Sequence, residues 1–482
     1  MYKRNNWSLV LIAVSAFWVV TGCRVAAPVR EPEVKQLPGS AGNAADSLGT
    51  GDQPWKQFYS DKFLASLVDT AMVNNPDMQV AMQKIAILNQ QVLQRRAAFW
   101  PTVNAVVSTG VDNYGDYTMN GVGNFDSNLS PNVTGDKKIP DPVTPDYFIG
   151  LRSQWEVDLW GKLKSQKKAA IARYEASRQE QRLLSTQMVA QVAGLYYELL
   201  SLDNELDILK KNINLQQQAL DVVKIQKQGG RATELAVQQF EAQLLRTQAM
   251  EFGVKQQIVG VENELNFLLG RYPQPIRRGT PILQQPLAPN LRQGVPGNAL
   301  LNRPDIQAAE WQLQAARADV AAVRAAFLPA LTINPYAGLN SFRTSVLFTP
   351  ESIAWGVLGG LSAPVLNRKQ LKADLKIAGS QQLTAFYQYQ RSLLNAYQEV
   401  ATQLSNLRNL NEQYGYKERE FAILSAAVST ARDLYIGGYA NYLEVITAQK
   451  GVLDAELELV NNRRKLFAAQ VDLYRALGGG WK

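Results

Sequence analysis

The chain has 482 residues, a formal net charge of +8, no histidine and a single cysteine. Its basic residues are spread along the chain, without the basic tail typical of nucleic-acid-binding proteins. The lack of histidine excludes Ser-His and Cys-His nucleophile pairs and the commonest zinc ligand. Since phosphate-loop and G-x-S-x-G motifs are also missing, the sequence predicts no enzyme, no metal site and no nucleic-acid partner.

The N-terminus is typical of a bacterial signal peptide. A basic start precedes an apolar run at residues 7–20, which is too short to span a bilayer. The run ends in VTGC, which resembles a lipobox, where the cysteine is acylated and becomes the new N-terminus. Because Arg24 and not aspartate follows Cys23, we expect the mature lipoprotein in the outer membrane. We therefore predict a signal peptide at residues 1–22 and a linker at residues 23–64, with the lipid on Cys23 and no other cofactor.

Two segments of the chain occur twice. The segment from Asn75 to the motif RAAFWP matches the segment from Arg303 to RAAFLP. Further along, GGRATELAV from Gly229 matches GGYANYLEV from Gly437, at a shorter interval. Two copies are too few for a solenoid. We predict a tandem duplication with repeat 1 at residues 65–270, a proline-rich connection at residues 271–302 and repeat 2 at residues 303–482.

In each repeat a helix ends at the RAAF-x-P motif and strands follow. Proline stops the helix, and beyond it the apolar period changes to two. Four alternating segments have the length of tilted transmembrane strands. They form predicted hairpins at residues 102–158, with a long polar loop, and at residues 330–363. The arginines of the motif are expected near the inner lipid surface. These helix-to-strand junctions are marked by Arg96, Pro101, Arg324 and Pro329.

Very long helices follow the hairpins. Residues 161–228 and 369–436 contain no proline, whereas helices of globular proteins rarely exceed about 20 residues. A Gly-Gly pair ends each helix, and return helices are predicted at residues 232–270 and 440–478. From Ile446 onward the second return helix has an apolar residue at every seventh position, as in a coiled-coil seam.

Four strands per chain cannot form a closed barrel, and open strand edges are not tolerated in lipid. The chain must therefore combine its strands with those of other copies. Two copies would give eight strands around a filled interior, and three would give twelve strands with room for a lumen. Threefold association would also bring the helices into a hollow cylinder.

Several motifs together resemble one known family. They are the lipobox, the RPDI run from Arg303, both RAAF-x-P junctions, EVDLWGKLKS from Glu156 and YIGGYANYLEVITAQ from Tyr435. The chain resembles the TolC family of outer-membrane channels, most closely its lipoprotein branch, the outer-membrane components of RND-type tripartite efflux pumps. This resemblance implies an α+β membrane protein: a homotrimer with a shared twelve-stranded transmembrane β-barrel on a long periplasmic α-helical barrel, with residues 272–302 in an equatorial belt. It implies a periplasmic membrane-fusion adaptor protein, an inner-membrane RND-type pump and outer-membrane lipid as partners.

The resemblance also implies a gate at the periplasmic tip. There Leu443, Glu444 and Thr447 match the positions of the family's apolar and acidic constriction rings. Thr447 replaces a common aspartate, so Glu444 alone would supply charge. The equivalent positions in repeat 1 are Leu235 and Ala236. The adaptor is expected to dock at the two helix-helix turns, which contain Gly229, Gly230, Arg231, Gly437, Gly438 and Tyr439.

We predict a passive exit duct that carries small toxic compounds and drugs from the periplasm to the exterior. One alternative within the same fold is the outer-membrane exit of a type I protein-secretion system, although lipidation favours the pump. An alternative of another class is a periplasmic coiled-coil lipoprotein without a pore. The four alternating segments argue against that alternative.

Overall fold

The computed structural model of the protein describes residues 30–34, 53–133, 135–287, 300–364 and 367–482. The signal peptide and Cys23 lie outside the described residues. The described residues divide into two compact units that each take segments from both repeats. The first contains residues 30–32, Ile87–Tyr174 and Gln312–Phe386, and the second contains the described residues of Glu33–Ala86, Glu175–Trp311 and Tyr387–Lys482.

Long helices and one hairpin per repeat make up most of the described chain. The N-terminal half contains α1 (Trp55–Phe58), α2 (Lys62–Asn74), α3 (Pro76–Ala97), β1 (Thr102–Asn113), α4 (Met119–Leu129), β2 (Val143–Val157), α5 (Lys162–Gln228) and α6 (Glu234–Leu268). The C-terminal half contains α7 (Pro304–Ala325), β3 (Ala330–Ser341), β4 (Ile353–Ser362), α8 (Arg368–Ile436) and α9 (Tyr442–Ala476). None of the helices in the described residues has both the length and the apolarity needed to cross a membrane.

The four strands form one antiparallel sheet in the order β1-β2-β3-β4. The pairing of β2 with β3 joins the hairpins of the two repeats. In this register the odd-numbered residues of all four strands share one face, and Val107, Ile149, Leu339 and Ile353 form one of its rows. Within the described residues, β1 and β4 are each paired on one side only.

The long polar loop between β1 and β2 contains helix α4, which the sequence did not predict. The hydroxyl of Thr118 accepts a hydrogen bond from the N–H of Gly121 at 3.0 Å and caps this helix. The side chain of Asn128 exchanges two hydrogen bonds with the backbone of Ile139, both at 2.9 Å. The Thr118 cap and the Asn128 hydrogen bonds therefore order this loop, which lacks the alternating apolar pattern of a strand.

The first part of the proline-rich connection, up to residue 287, is tied to the core of the second unit through Asp61. This residue caps α2 by accepting a hydrogen bond from the N–H of Phe63 at 2.8 Å. The hydroxyl of Tyr196 and the amide of Gln285 each donate to the same carboxylate at 2.8 Å. Burial, and then the neighbouring Asp61, raise the pKa of Tyr196 well above its usual value, so it stays a neutral donor.

In each repeat, the residue just before Pro76 or Pro304, the first residue of α3 or α7, binds the C-terminal end of the return helix. In repeat 1 the amide nitrogen of Asn75 donates to the carbonyl of Leu268, near the end of α6, at 2.9 Å. In repeat 2 the guanidinium of Arg303 donates to the carbonyl of Ala476, the equivalent position at the end of α9. Both contacts satisfy carbonyls that a helix end leaves without a partner. The duplicated segments thus share an equivalent tertiary contact as well as sequence similarity.

Candidate functional site

The two predicted docking turns have the same backbone geometry. Gly230 and Gly438 adopt φ values of 71° and 81°, a left-handed conformation that glycine adopts without strain. The N–H of Arg231 donates to the carbonyl of Gln226 at 2.8 Å, and the N–H of Tyr439 donates to the carbonyl of Leu434 at 2.9 Å. Both turns are therefore Schellman C-caps. All six predicted docking residues are exposed at these turns.

The two turns lie side by side in the second unit. The Tyr435 hydroxyl, before the second turn, donates a hydrogen bond to the side-chain oxygen of Gln226, before the first. One apolar cluster below the turns combines Leu220 of α5 and Phe240 of α6 with Val445 of α9. The chain thus packs both helix ends together in a single tip.

The return helices start with side-chain caps directly beyond these turns. Thr233 accepts a hydrogen bond from the N–H of Ala236 at 3.2 Å, and Asn441 accepts one from the N–H of Leu443 at 2.9 Å. The first turn of each helix carries an acid, Glu234 or Glu444, where the helix dipole favours negative charge.

The three predicted gate residues lie exposed on the first two turns of α9. Leu443 is 53% exposed although it is a large apolar side chain. Glu444 and Thr447 are also exposed, whereas Val445 between them is buried in the tip cluster. The structure thus places Leu443, Glu444 and Thr447 on a surface that the single chain does not cover.

Ala236, the equivalent of Glu444 in repeat 1, lies in a different environment from Glu444. Ala236 is 0% exposed and belongs to the tip cluster. Its neighbour Leu235 stays exposed, like Leu443. The alignment preserves the position along the helix, but α6 and α9 turn different faces toward the core. A residue at position 236 must therefore be small and apolar, and Glu234 is the acid in the first turn of the first return helix.

Two tryptophans hold the helix-to-strand junctions in the first unit. The indole N–H of Trp155 donates to the carbonyl of Phe99 at 3.0 Å, and that of Trp160 donates to the carbonyl of Pro329 at 2.7 Å. Of the two motif arginines, Arg96 is exposed, while Arg324 is half-buried. From the sequence alone, these two tryptophans had no assigned role. Their position at the ends of predicted membrane strands, where aromatic residues concentrate, was the available signal.

One face of the sheet is apolar and exposed in the single chain. Trp355 is 75% exposed and Val107 is 79% exposed. The same face carries other exposed apolar side chains: Val103, Val111, Leu151, Ile353, Val357 and Leu361. The opposite face is mostly polar or small, with Asn104, Arg152 and Gly356 among its residues, but it also carries Phe148, Tyr336 and Leu358. Such alternation is typical of strands that face lipid on one side and an aqueous interior on the other.

These features define a class of protein: an outer-membrane channel subunit with a four-stranded sheet and long helical hairpins. In the described part of the chain, no three Asp, Glu or Cys side chains come together in a way that could hold a metal ion. The exposed apolar face of the sheet and the tip are the candidate sites.

Comparison with known proteins identifies the family. The sequence model of the outer membrane efflux protein family matches residues 67–271 and 295–479, so the chain belongs to this family. It is 28% identical to the probable outer membrane lipoprotein SilC of Salmonella typhimurium over 484 residues, which cover 98% of this chain and 99% of SilC. It is 29% identical to the toluene efflux pump outer membrane protein TtgI of Pseudomonas putida, over 90% of this chain and 89% of TtgI.

Solved structures of outer-membrane channels have the same fold as this chain. A crystal structure of CusC superposes with a TM-score of 0.81 at 26% identity, covering 93% of this chain and 99% of CusC. The open MtrE channel of Neisseria gonorrhoeae, at 23% identity, has the same fold, with a TM-score of 0.81 over 95% of this chain and 98% of MtrE. The predicted TolC-like α+β fold, the outer-membrane location and the role as the exit channel of an efflux system are confirmed.

Proposed function

We propose that three copies of this chain assemble into one duct, which passively exports small toxic compounds and has no enzymatic activity. The observation that carries this proposal is the sheet itself. It has an apolar exposed face and two edges, β1 and β4, that are unpaired among the described residues. Backbone groups at such edges cost several kcal/mol each in lipid. Pairing β4 of one copy with β1 of the next removes every edge, and twelve strands leave room for a lumen.

Exposed apolar residues on the helices support the same assembly. On α6, Leu245, Phe252 and Val259 are spaced seven residues apart and are 59%, 68% and 48% exposed. Heptad spacing on one helix face is suited to packing against another helix. Since the described chain leaves this stripe uncovered, a helix of the neighbouring copy is the partner that fits it.

The proposed partners are a periplasmic adaptor protein, which docks on the two exposed turns, and an inner-membrane RND-type pump. The relatives support this proposal, because TtgI is named as the outer membrane protein of a toluene efflux pump and CusC as a cation efflux system protein. Substrate choice would belong to the pump. The gate proposal rests on Leu443 and Glu444, which face away from the tip cluster and would surround the threefold axis.

The lipid anchor on Cys23 is also a proposal, supported by the lipobox at residues 20–23 and by the relative SilC, which is named a probable outer membrane lipoprotein. The segment that follows the anchor in the chain is held through Glu31. Glu31 is bound to both α7 and α8, because its carboxylate accepts hydrogen bonds from Arg317 at 2.7 Å and from Gln382 at 2.6 Å. The hydrogen bond from Arg317 lowers the pKa of Glu31, against the opposing effect of burial. The contact would hold the linker against the first unit, close behind the acylated end.

The test is the mass of the purified protein. We expect light scattering in detergent, corrected for bound detergent, to give about three chain masses of protein. Val107→Pro, inside β1, should lose the trimer because proline cannot donate to the ladder. Val122→Pro, at an exposed position of α4, is the control outside the sheet. A stable wild-type monomer would contradict the proposal.

A further inference from the structure

The polar face of the sheet carries an arginine that stacks on an aromatic ring. Arg152 lies on β2, and the central carbon of its guanidinium is 4.5 Å from the centroid of the Phe148 ring. Tyr336 lies opposite Arg152 on β3. The Tyr336 ring meets the Phe148 ring edge-on, with centroids 6.2 Å apart. We call these three residues the Arg152 cluster.

Two glycines form the floor of the Arg152 cluster. Phe148 is only 3% exposed and lies across Gly150 and Gly338. A Cβ atom at these glycines would come 2.9 Å and 3.0 Å, respectively, from Cζ of Phe148. Any side chain there would push the ring off the sheet. Phe148 is thus a positioning residue that supports the guanidinium, whereas Tyr336 is 42% exposed and leaves part of its ring accessible.

In the part of the chain that the structure describes, the guanidinium of Arg152 has no acidic partner, whereas other charged groups nearby on the sheet have polar partners. Glu156 pairs with Lys162 at 2.7 Å, and Asp146 accepts a hydrogen bond from Asn340 at 2.6 Å. Among the described residues, no carboxylate lies within ion-pair distance of Arg152. A guanidinium offers five donors in a planar fork that matches the geometry of carboxylate and sulfonate groups.

We propose that the Arg152 cluster is a binding site for aromatic anions inside the duct. The carboxylate or sulfonate of the ligand would accept hydrogen bonds from Arg152, and its aromatic ring would pack on the exposed part of Tyr336. This inference rests on the proposed function, in which the polar face of the sheet lines the lumen. It gives the exit duct a preference of its own for one substrate class.

The test uses the full-length protein in lipid nanodiscs and 2-naphthalenesulfonate as the probe. Ligand-observed NMR titration gives the dissociation constant for the wild type, Arg152→Gln and Tyr336→Leu. We expect Arg152→Gln to weaken binding by at least about tenfold, as loss of a hydrogen bond to a charged group implies. Tyr336→Leu should weaken it as well, because the ligand ring loses its aromatic contact. Arg152→Lys, which keeps the charge but loses the planar fork, should fall between wild type and Arg152→Gln.

Two controls separate this site from non-specific binding. Arg343→Gln removes the same charge from the loop between β3 and β4 and should leave the affinity unchanged. The neutral probe 2-naphthalenemethanol should bind wild type and Arg152→Gln equally. Equal affinity of wild type and Arg152→Gln for the sulfonate, or no binding by the wild type, would overturn the inference. The trimer mass, measured on the same samples, reports separately on the proposed function.

Discussion

Glu444 and Ala236 occupy equivalent positions in the two repeats but lie in opposite environments. The acid is exposed at the start of α9, and the alanine is fully buried in the tip cluster. A carboxylate at position 236 would have to be desolvated, which is costly without a partner. At this pair of equivalent positions, therefore, repeat 2 can present a charge to the proposed lumen and repeat 1 cannot.

The proposed gate predicts a change in ion selectivity. Three Glu444 carboxylates around one axis attract cations, so Glu444→Gln should lower the ratio of cation to anion permeability by about twofold or more, the effect of about 0.5 kcal/mol per exposed charge. The measurement is the reversal potential across a planar bilayer in a salt gradient. Glu234→Gln, which neutralises the acid in the first turn of α6, is the matched control. Equal reversal potentials for wild type and Glu444→Gln would place the constriction elsewhere.

A second prediction at the residue scale concerns pH and Glu31. Its pKa is lowered below 4.5 in the folded chain. Its contribution to docking is therefore fully present above the unfolded pKa and is lost as the pH falls through the lowered folded value. We expect cleavage of the linker near residues 30–34 by an acid-active protease to speed up as the pH drops below about 4. With a second protease that is active at neutral pH, Glu31→Gln should be cleaved faster than wild type, and Glu33→Gln should behave as wild type.

At the scale of elements, the helices of the tip contain a polar residue that works against their packing. Gln216 on α5 is only 2% exposed, and neither of its side-chain polar atoms has a hydrogen-bond partner among the described residues. An unsatisfied buried polar group costs about 1 to 3 kcal/mol. The tip is therefore less stable than its apolar contacts alone would make it.

We expect Gln216→Leu to raise the thermal unfolding midpoint, because it removes this cost and keeps a similar volume. The expected gain is about 1 kcal/mol or more. Circular dichroism at 222 nm would follow the melting of the helices. Gln217→Leu is the control, since Gln217 is exposed and bonds to Asp221 at 3.0 Å. An unchanged or lower midpoint for Gln216→Leu would show that the amide has a partner after all.

Arg303 is the residue through which the start of α7 holds the end of α9. Its buried guanidinium bonds to Asp305 at 2.8 Å, to Glu399 at 2.9 Å and to the Ala476 carbonyl. Burial acts to lower the pKa of Arg303, but the partner carboxylates outweigh burial and raise it. The network thus joins α7, α8 and α9.

Removal of this guanidinium should be strongly destabilising. Arg303→Ala removes one donor from Asp305, from Glu399 and from the Ala476 carbonyl, although Arg475 still contacts Glu399 at 3.3 Å. The expected loss is about 1.5 to 3 kcal/mol, the contribution of a hydrogen bond to a charged group. Lys56→Ala, which breaks an exposed pair with Asp69, should cost less than about 1 kcal/mol. Thermal melting of both variants gives the comparison, and similar midpoints would contradict the assigned role.

At the scale of the whole molecule, the chain is incomplete by itself. Its sheet has two unpaired edges among the described residues, and α6 carries an uncovered apolar stripe. The apolar face of the sheet needs lipid, and the edges need strands. In the proposed trimer both needs are met only after assembly and insertion, so we expect folding, association and insertion to be coupled steps.

The anchor is tested at this scale. Cys23→Ser should abolish labelling by radioactive palmitate, since the Cys23 thiol is the proposed acylation site. Trimers should still be recovered from the outer membrane, because the strands supply a second attachment. Arg24→Lys is the control, as it leaves the cysteine in place. Palmitate incorporation into Cys23→Ser would remove the lipoprotein proposal.

The sequence by itself determined the features that depend on local chemistry and periodicity. Proline and glycine positions marked the ends of α3, α5, α7 and α8, because these residues restrict or free the backbone wherever they occur. Alternation along the strands identified the apolar face of the sheet. The duplication and the family membership also followed from the amino-acid sequence alone.

Only the tertiary structure decided which of two equivalent positions is buried, as for Ala236 and Glu444. It also showed that Trp155 and Trp160 hold the junctions, and that Phe148 supports Arg152 across two glycines. These contacts join residues far apart in the chain. Which residues meet depends on the rotation of each helix about its axis and on the register of the strands. Both are set by the packing of the whole chain rather than by any single segment.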